Sequence, residues 1–137
     1  MKIGVLTSGG DAPGMNAAIR TIAAAGVGRG HTIVGIRSGY SGLLEGDVVE
    51  LGPATVFGIS GFGGTILGSA RSSIFPTEEG QKKARERLAE LKLDGLVVIG
   101  GNGSLTGAHM LAKEKKPLII GLPARSASGF PGNRVDP

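Results

Sequence analysis

The chain has 137 residues, of which 40% are hydrophobic and 19% charged, and this balance predicts one soluble globular domain and excludes a disordered chain. The net charge is +4, yet like charges are never gathered into a long run and the chain has four Phe, one Tyr and no Trp, which argues against a nucleic-acid-binding protein. The absence of cysteine excludes disulfides and thiolate metal sites, and no apolar stretch approaches the ~20 residues that a membrane-spanning helix needs.

The first half of the chain alternates apolar strands with a helical segment. Lys2–Thr7 predicts a short buried strand, and because no charged leader precedes it we expect a cytoplasmic protein. Met15–Ala25 is rich in Ala and Ile and predicts a helix, with Gly26 as its stop signal. His31–Arg37 predicts a second strand, which closes in the turn Ser38–Tyr40.

The middle of the chain contains weaker signals before one strong helix. Asp47–Leu51 predicts a minor strand and Pro53–Ser60 a short helix. Thr77–Lys92 predicts a clear helix because two acids, Glu78 and Glu79, fall in its first turn, where they favour the helix dipole.

The last elements complete an alternating pattern. Leu93–Ile99 contains the continuous apolar run of a strand covered on both faces, Leu105–Lys113 predicts a helix, and Pro117–Leu122 predicts another buried strand. Strand and helix therefore alternate, which predicts an α/β fold: a doubly wound, Rossmann-like parallel sheet with helices on both faces. Residues 124–137 have no periodicity, and we expect a disordered tail there.

Two glycine-rich turns follow predicted strands, Ser8–Gly14 and Gly100–Ser104. In a parallel sheet both lie at the carboxyl ends of strands, where free backbone N–H groups and a helix N-terminus favour an anion. Neither turn is a Walker A loop or a strict G-x-G-x-x-G, so phosphate binding and simple tight turns both remain open from spacing alone.

A third glycine cluster, Gly63–Arg71, ends in an arginine whose fork of donors suits a phosphate or a nucleobase. A loop with a surface arginine is the alternative. The histidines His31 and His109 have no Ser or Asp partner at an informative spacing, so we expect structural or surface roles for both.

Five segments together resemble one enzyme family. They are Ile3–Asn16 (IGVLTSGGDAPGMN), Gly39–Tyr40, Gly63–Arg71 (GGTILGSAR), Leu96–Ser104 (LVVIGGNGS) and Ile120–Pro123 (IGLP). Their order and spacing resemble the N-terminal portion of bacterial-type, ATP-dependent 6-phosphofructokinases over residues 1–123.

The resemblance implies a nucleotide-binding α/β domain over residues 1–123. The family uses Mg²⁺ and transfers the γ-phosphate of ATP to fructose 6-phosphate, giving fructose 1,6-bisphosphate in glycolysis. The positions that the resemblance places at the nucleotide are Gly10, Tyr40, Arg71, Ser72, Gly101, Asn102, Gly103 and Ser104. Pyrophosphate-using relatives usually have Asp at the position of Gly103, so the resemblance implies ATP as the donor.

The resemblance also bears on allostery and assembly. Arg20 matches an effector-site arginine of the allosteric bacterial enzymes, but two other basic positions of that site are Ala24 and Pro53 here, so we do not expect the same control. The family assembles as homotetramers, and we do not expect this chain to do so. We expect its exposed sheet edge and uncovered apolar surface to cause aggregation or partial folding.

The sequence departs from the family at two places. Asn102 replaces the aspartate that holds magnesium, and an amide brings no charge, so we expect weaker metal binding and slower phosphoryl transfer. After Pro123 the family continues with the segment of the catalytic aspartate, whereas Ala124–Gly129 contains no carboxylate. Fructose 6-phosphate would therefore bind only to the full-length enzyme.

Three readings of function stay open. The first is an enzyme, a phosphofructokinase gene product whose functional whole is the ATP-dependent kinase, and the second is a non-catalytic nucleotide-binding remnant of a frame-shifted or truncated gene. Deleting one base from a possible coding sequence of the family segment that follows Pro123 gives a shifted frame, whose translation matches Ala124–Gly132 at six of nine positions. We therefore expect residues 124–137 to come from a shifted reading frame. The third is a lipid- or NAD-kinase-like domain, against which the Ser8–Asn16 motif argues.

Overall fold

The computed structural model describes residues 1–8, 15–52, 67–68, 72–113 and 117–123. In these ranges the strands are β1 Lys2–Ser8, β2 Thr32–Ile36, β3 Val48–Glu50, β4 Gly95–Gly100 and β5 Leu118–Pro123. They form one sheet in the order β3-β2-β1-β4-β5. The predicted helix Pro53–Ser60 and the predicted tail 124–137 lie outside the described residues.

The central strands run parallel, as predicted. Strand β1 pairs in parallel with β2 and with β4, and β4 pairs in parallel with β5. Strand β3 differs, because it pairs antiparallel to β2 with Val49 opposite Gly35. The connection from Ile36 to Val48 is shorter than the dozen or so residues that a parallel crossover requires, so the chain returns antiparallel.

The helices are α1 Met15–Gly28, α2 Gly39–Glu45, α3 Glu78–Glu90 and α4 Asn102–Leu111. The expected stop at Gly26 is wrong, since α1 continues to Gly28. A side chain at Gly26 would collide with Ile33, so this glycine lets α1 pack closely on β2. Gly30, with a φ of 85°, reverses the chain instead.

Helix α2 was not predicted. Its sequence, GYSGLLE, places two glycines among seven residues, which conceals the helical signal. Leu43 is fully buried and Leu44 nearly so. The packing of this face, and not intrinsic helix propensity, therefore stabilises the helix.

Helix α3 confirms the clearest sequence prediction. Thr77 is its N-cap, and the Thr77 hydroxyl accepts a hydrogen bond from the Gly80 N–H at 3.0 Å. The helix ends at Glu90 with Leu91 as C-cap, and Lys92 follows in the left-handed region with a φ of 58°.

Helices cover both faces of the sheet, which confirms the doubly wound architecture. One apolar cluster lies between the sheet and α2, α3 and α4, and includes Leu6, Leu88 and Val98. The other lies between the sheet and α1, and includes Val5 and Ile19. Consecutive residues of β1 therefore point to opposite cores, as the two-residue period of a strand requires.

Strand β5 is covered less completely. Leu118, Ile120 and Leu122 are 59%, 45% and 36% exposed, and their two-residue spacing places them on one face. Ile120 is the register partner of Val97, which packs in the α1-side core. Leu118, Ile120 and Leu122 therefore extend the α1-side apolar face of the sheet onto its edge strand.

Candidate functional site

The candidate site lies where β1 and β4 end side by side. Ser8 and Gly100, the last residues of these two strands, are direct partners in the parallel register. The turns that follow both strands therefore start at neighbouring points on the carboxyl edge of the sheet, where ligands bind in open α/β folds. Gly10, in the first turn, lies outside the described residues.

The second turn is the first turn of a helix. We expected the helix to begin at Leu105, but α4 begins at Asn102 with Gly101 as its N-cap. The first backbone bond runs from the Leu105 N–H to the Gly101 carbonyl at 3.0 Å. Within the described residues, the N–H groups of Asn102, Gly103 and Ser104 have no acceptor, as expected for a first helical turn.

The glycines of this turn keep it open. A Cβ at Gly101 or Gly103 would meet nothing within 4 Å, and Asn102 and Gly103 are exposed. A polyanion can therefore approach the free N–H groups closely, and the helix dipole adds a partial positive charge.

Gly100 and Ser104 form the floor of the turn. A Cβ at Gly100 would lie 2.5 Å from the Ser8 carbonyl oxygen and 2.7 Å from the Ser104 side chain. Ser104 is only 6% exposed. The Ser104 side chain thus packs inward against the end of β4, because Gly100 leaves it room.

Tyr40 lies beneath the same turn. Its hydroxyl donates a hydrogen bond of 2.7 Å to the Ser104 carbonyl. Its ring stacks on Phe75 with a centroid distance of 3.7 Å and an interplanar angle of 11°. Burial disfavours the tyrosinate and raises the pKa of Tyr40.

Ser72 joins the site through Phe75. The Phe75 N–H donates to the Ser72 hydroxyl at 3.1 Å, and Ser72 is half-buried. Arg71, the preceding residue and the end of the third glycine cluster, lies outside the described residues.

Leu67 and Gly68 bring the third glycine cluster to the same edge. The Ser38 N–H donates to the Leu67 carbonyl at 2.9 Å, and the Thr7 hydroxyl donates to the Gly68 carbonyl at 2.9 Å. Because Thr7 and Ser38 lie at the ends of β1 and β2, residues 67–68 lie against the carboxyl edge that the sequence predicted for the other two turns.

The described residues do not offer a metal site of their own. Among them, no group of three or more His, Cys, Asp or Glu could hold a metal ion. Asp47 pairs with Arg37 at 3.3 Å, and Asp94 accepts from the Lys2 N–H at 2.8 Å, at the far end of the strand that leads to the turn. In the α4 turn, the exposed side chain that could offer an oxygen atom to a metal ion is the uncharged amide of Asn102.

The remaining predicted residues lie elsewhere. Arg20 is exposed on α1, as is Ala24. His31 contacts the N-terminal amine through Nδ1 at 3.1 Å, and His109 is exposed near the end of α4. These positions agree with the structural or surface roles expected for the histidines.

Sequence reasoning missed Phe75 and Gly107. A Cβ at Gly107 would lie 2.7 Å from Phe75 and 3.2 Å from the Tyr40 hydroxyl, so this glycine admits the aromatic pair beneath α4. A glycine in the middle of a predicted helix was the available signal, because such a position costs helix stability unless packing needs it.

Within the described residues, no helix is long and apolar enough to cross a membrane.

Comparisons with known proteins agree with this geometry. The family model described as "Phosphofructokinase" matches residues 2–133. The chain is 54% identical over 123 residues to the ATP-dependent 6-phosphofructokinase of Thermotoga petrophila and 48% identical over 122 residues to ATP-dependent 6-phosphofructokinase 1 of Thermus thermophilus. These matches cover 90% and 89% of this chain but only 39% and 38% of the relatives' length.

Solved structures show the same fold. The T-state phosphofructokinase of Pichia pastoris superposes with a TM-score of 0.85 at 39% identity, over 90% of this chain and 15% of that one. A pyrophosphate-dependent phosphofructokinase from Nitrosospira multiformis superposes with a TM-score of 0.75 over 85% of this chain and 31% of that one, at 16% identity, which supports the fold alone.

Proposed function

The chain belongs to the phosphofructokinase family, and on that premise we propose that it forms the nucleotide-binding part of an ATP-dependent 6-phosphofructokinase. The observation that carries the proposal is the open first turn of α4. This turn suits the phosphates of a nucleotide for three reasons: its N–H groups are free, Gly101 and Gly103 leave it open, and it follows the end of β4.

We infer that ATP is the phosphoryl donor. Space is open at Gly103, where a carboxylate would repel a triphosphate, and relatives about half identical to this chain carry the name ATP-dependent 6-phosphofructokinase. In the proposed reaction the γ-phosphoryl group passes to fructose 6-phosphate and gives fructose 1,6-bisphosphate. The chain spans 39% of the length of the first such relative, so the sugar site would come from the remainder of a full-length protein.

The role of this chain in phosphoryl transfer would be positioning and charge stabilisation, which dominate catalysis of this reaction class. Gly10, Arg71 and Ser72 would complete the contacts to the nucleotide around the α4 turn. Magnesium would be held mainly by the nucleotide phosphates and water, with the Asn102 amide as a weak protein ligand, because Mg²⁺ prefers charged oxygen donors.

A second candidate is nucleotide binding without turnover. It is favoured by Ala124–Gly129, which follows β5 and contains no carboxylate to orient a sugar hydroxyl. Resequencing the gene over the codons for residues 124–137 and downstream separates the candidates, since a restored aspartate-containing frame supports the enzyme.

The direct test is calorimetric titration with MgATP, followed by an assay for ADP release that depends on fructose 6-phosphate. We expect Gly103→Asp to abolish ATP binding because its carboxylate would face the phosphates. Unfolding would not explain this loss, since an acid in a first helical turn stabilises the helix. Gly28→Asp is the matched control, because Gly28 also has nothing within 4 Å of its Cβ position but ends α1. Equal ATP affinity in both variants would contradict the proposed site.

A further inference from the structure

Asn102 is followed directly by Gly103 at the exposed start of α4. We propose that Asn102 is a site of spontaneous deamidation, at which the chain itself replaces the uncharged amide in the first turn of α4 with a carboxylate. The reaction at Asn102 is argued from the chain alone. Its effect on magnesium rests on the proposed function.

The residue after Asn102 favours the reaction. Deamidation of asparagine begins when the backbone nitrogen of the next residue attacks the side-chain Cγ. Glycine in that position assists the attack, because no Cβ shields its nitrogen and its backbone moves freely. Of the chain's three asparagines only Asn102 precedes glycine, since Asn16 precedes alanine and Asn133 precedes arginine. The sequence therefore singles out Asn102.

Both reacting groups are free in the structure. Among the residues that the structure describes, the Gly103 N–H has no acceptor and the Asn102 amide has no hydrogen-bond partner. A Cβ at Gly103 would meet nothing within 4 Å, so a new ring has room there. Each Cα–Cβ bond of a helix tilts towards the N-terminus, where the free N–H groups also point. The Asn102 side chain thus starts on the same side as the attacking nitrogen.

The first turn must open before the ring closes, because the helical conformation of Asn102 restrains the attack. Opening breaks few bonds. They are the bond from the Leu105 N–H to the Gly101 carbonyl at 3.0 Å and those to the Asn102 carbonyl, which include the Thr106 hydroxyl at 2.9 Å. Helix ends fray more readily than helix interiors, so this opening is accessible in the folded chain.

The reaction needs only water. The Gly103 nitrogen loses its proton to solvent and bonds to Asn102 Cγ. The Cγ–Nδ2 bond breaks, and Nδ2 takes a proton from solvent and leaves as ammonia, which gives a succinimide ring. Water that opens the ring at Cγ gives aspartate, whereas opening at the Asn102 backbone carbonyl gives isoaspartate. The positive end of the α4 dipole stabilises the negative charge that develops during the attack.

The aspartate product changes what the turn offers to a metal. The described carboxylates Asp47 and Asp94 are engaged elsewhere, by Arg37 and by the Lys2 N–H. A carboxylate at position 102 would supply the charged oxygen that Mg²⁺ prefers, so we expect this form to bind MgATP about fivefold more tightly. Isoaspartate lengthens the main chain by a carbon atom, so it should disrupt the first turn and weaken binding.

The test ages the purified chain in warm, mildly alkaline buffer and follows each asparagine by peptide mapping. We expect the Asn102 peptide to become about one dalton heavier. Asn16, which is 2% exposed within α1, should react at least about tenfold more slowly. Endoproteinase Asp-N, which cleaves before aspartate but not before isoaspartate, distinguishes the two products. Gly103→Ala is the matched control, because its methyl group shields the attacking nitrogen, and it should slow the reaction at Asn102 at least about tenfold.

Ion exchange then separates the aspartate form, and calorimetry compares its MgATP affinity with that of the fresh chain. Absence of a mass gain at Asn102, or a rate no faster than that of Asn16, would overturn the inference. A mass gain that Gly103→Ala does not slow would overturn it too, since the Gly103 nitrogen would not be the nucleophile. Equal MgATP affinity of the two forms would overturn the effect on magnesium. If neither form bound MgATP, the proposed function would fail, and the mass gain would still decide whether Asn102 deamidates.

Discussion

Replacing Gly107 with alanine tests the packing beneath the phosphate turn with a single methyl group. The new Cβ would lie 2.7 Å from Phe75 Cε2, closer than real Cβ atoms approach a neighbour, and 3.2 Å from the Tyr40 hydroxyl, which is a tight contact. The aromatic pair must shift, and the 2.7 Å bond from Tyr40 to the Ser104 carbonyl would lengthen.

The magnitude follows from three opposing terms. Overpacking of a close-packed site costs about 1–3 kcal/mol, and weakening a buried hydrogen bond costs about 1 kcal/mol. Alanine regains up to about 1 kcal/mol of helix propensity over glycine. We therefore expect Gly107→Ala to lower the free energy of unfolding by about 1–3 kcal/mol, which is roughly a 3–10 °C fall in Tm for a chain of this size.

Gly103→Ala is the matched control. It makes the same change in the same helix, but a Cβ there meets nothing within 4 Å. The propensity term then stands alone, and we expect a gain of up to about 1 kcal/mol. The two variants should shift Tm in opposite directions, measured by far-ultraviolet circular dichroism.

A compensating variant sharpens the test. Phe75→Leu removes the ring carbon that the Gly107→Ala methyl group meets, so the double variant should lose less stability than the sum of the single losses. The reasoning would be refuted if Gly107→Ala were as stable as the unsubstituted chain, or if the two losses were additive.

Four further predictions concern the turn, the helix end, the buried tyrosine and the sheet edge. Lys92→Gly should stabilise the fold by about 1 kcal/mol, because Lys92 has a φ of 58° just after α3 and glycine adopts that conformation without strain. Lys83→Gly, at an exposed position inside α3, should destabilise the fold by about the same amount. Urea unfolding measures both changes. Tyr40, the chain's one tyrosine, has a raised pKa in the folded state. Above pH ~10 the Tyr40 hydroxyl therefore keeps its proton in the folded chain and loses it in the unfolded chain. The free energy of unfolding is expected to fall as the pH rises beyond that value. The tyrosinate absorbance should then appear together with unfolding, and Tyr40→Phe should flatten this part of the stability profile. Asn102→Asp should strengthen MgATP binding by about fivefold and weaken ATP binding in EDTA, because the introduced carboxylate attracts the metal and repels bare phosphates. Equal changes of affinity with Mg²⁺ and with EDTA would argue against a metal ligand at this position. Ile120→Lys should reduce concentration-dependent light scattering, since Ile120 is 45% exposed in the apolar row of β5, and unchanged scattering would show that this row does not drive association.

Local chemistry in the sequence determined the parts of the fold that depend on local interactions. The apolar runs predicted β1, β2, β4 and β5, and Thr77 with the acids after it predicted α3 from its N-cap, although the predicted end at Lys92 lies one residue beyond the C-cap Leu91. The glycine-rich turns after β1 and β4 were predicted at strand ends because each follows an apolar run, and the family resemblance was visible in those same residues.

Tertiary contacts decided the rest. Helix α2 contains too much glycine to be predicted from propensity, and it exists because Leu43 is buried against the sheet. The start of α4 at Asn102 depends on Gly100 admitting Ser104 against the end of β4. Tyr40 bonds to a carbonyl that lies 64 residues away in the chain, so its inward direction depends on a contact that no local pattern encodes. Sequence spacing places residues at the carboxyl edge of a sheet, but whether a side chain there faces a ligand or supports the turn beneath it is settled by long-range packing.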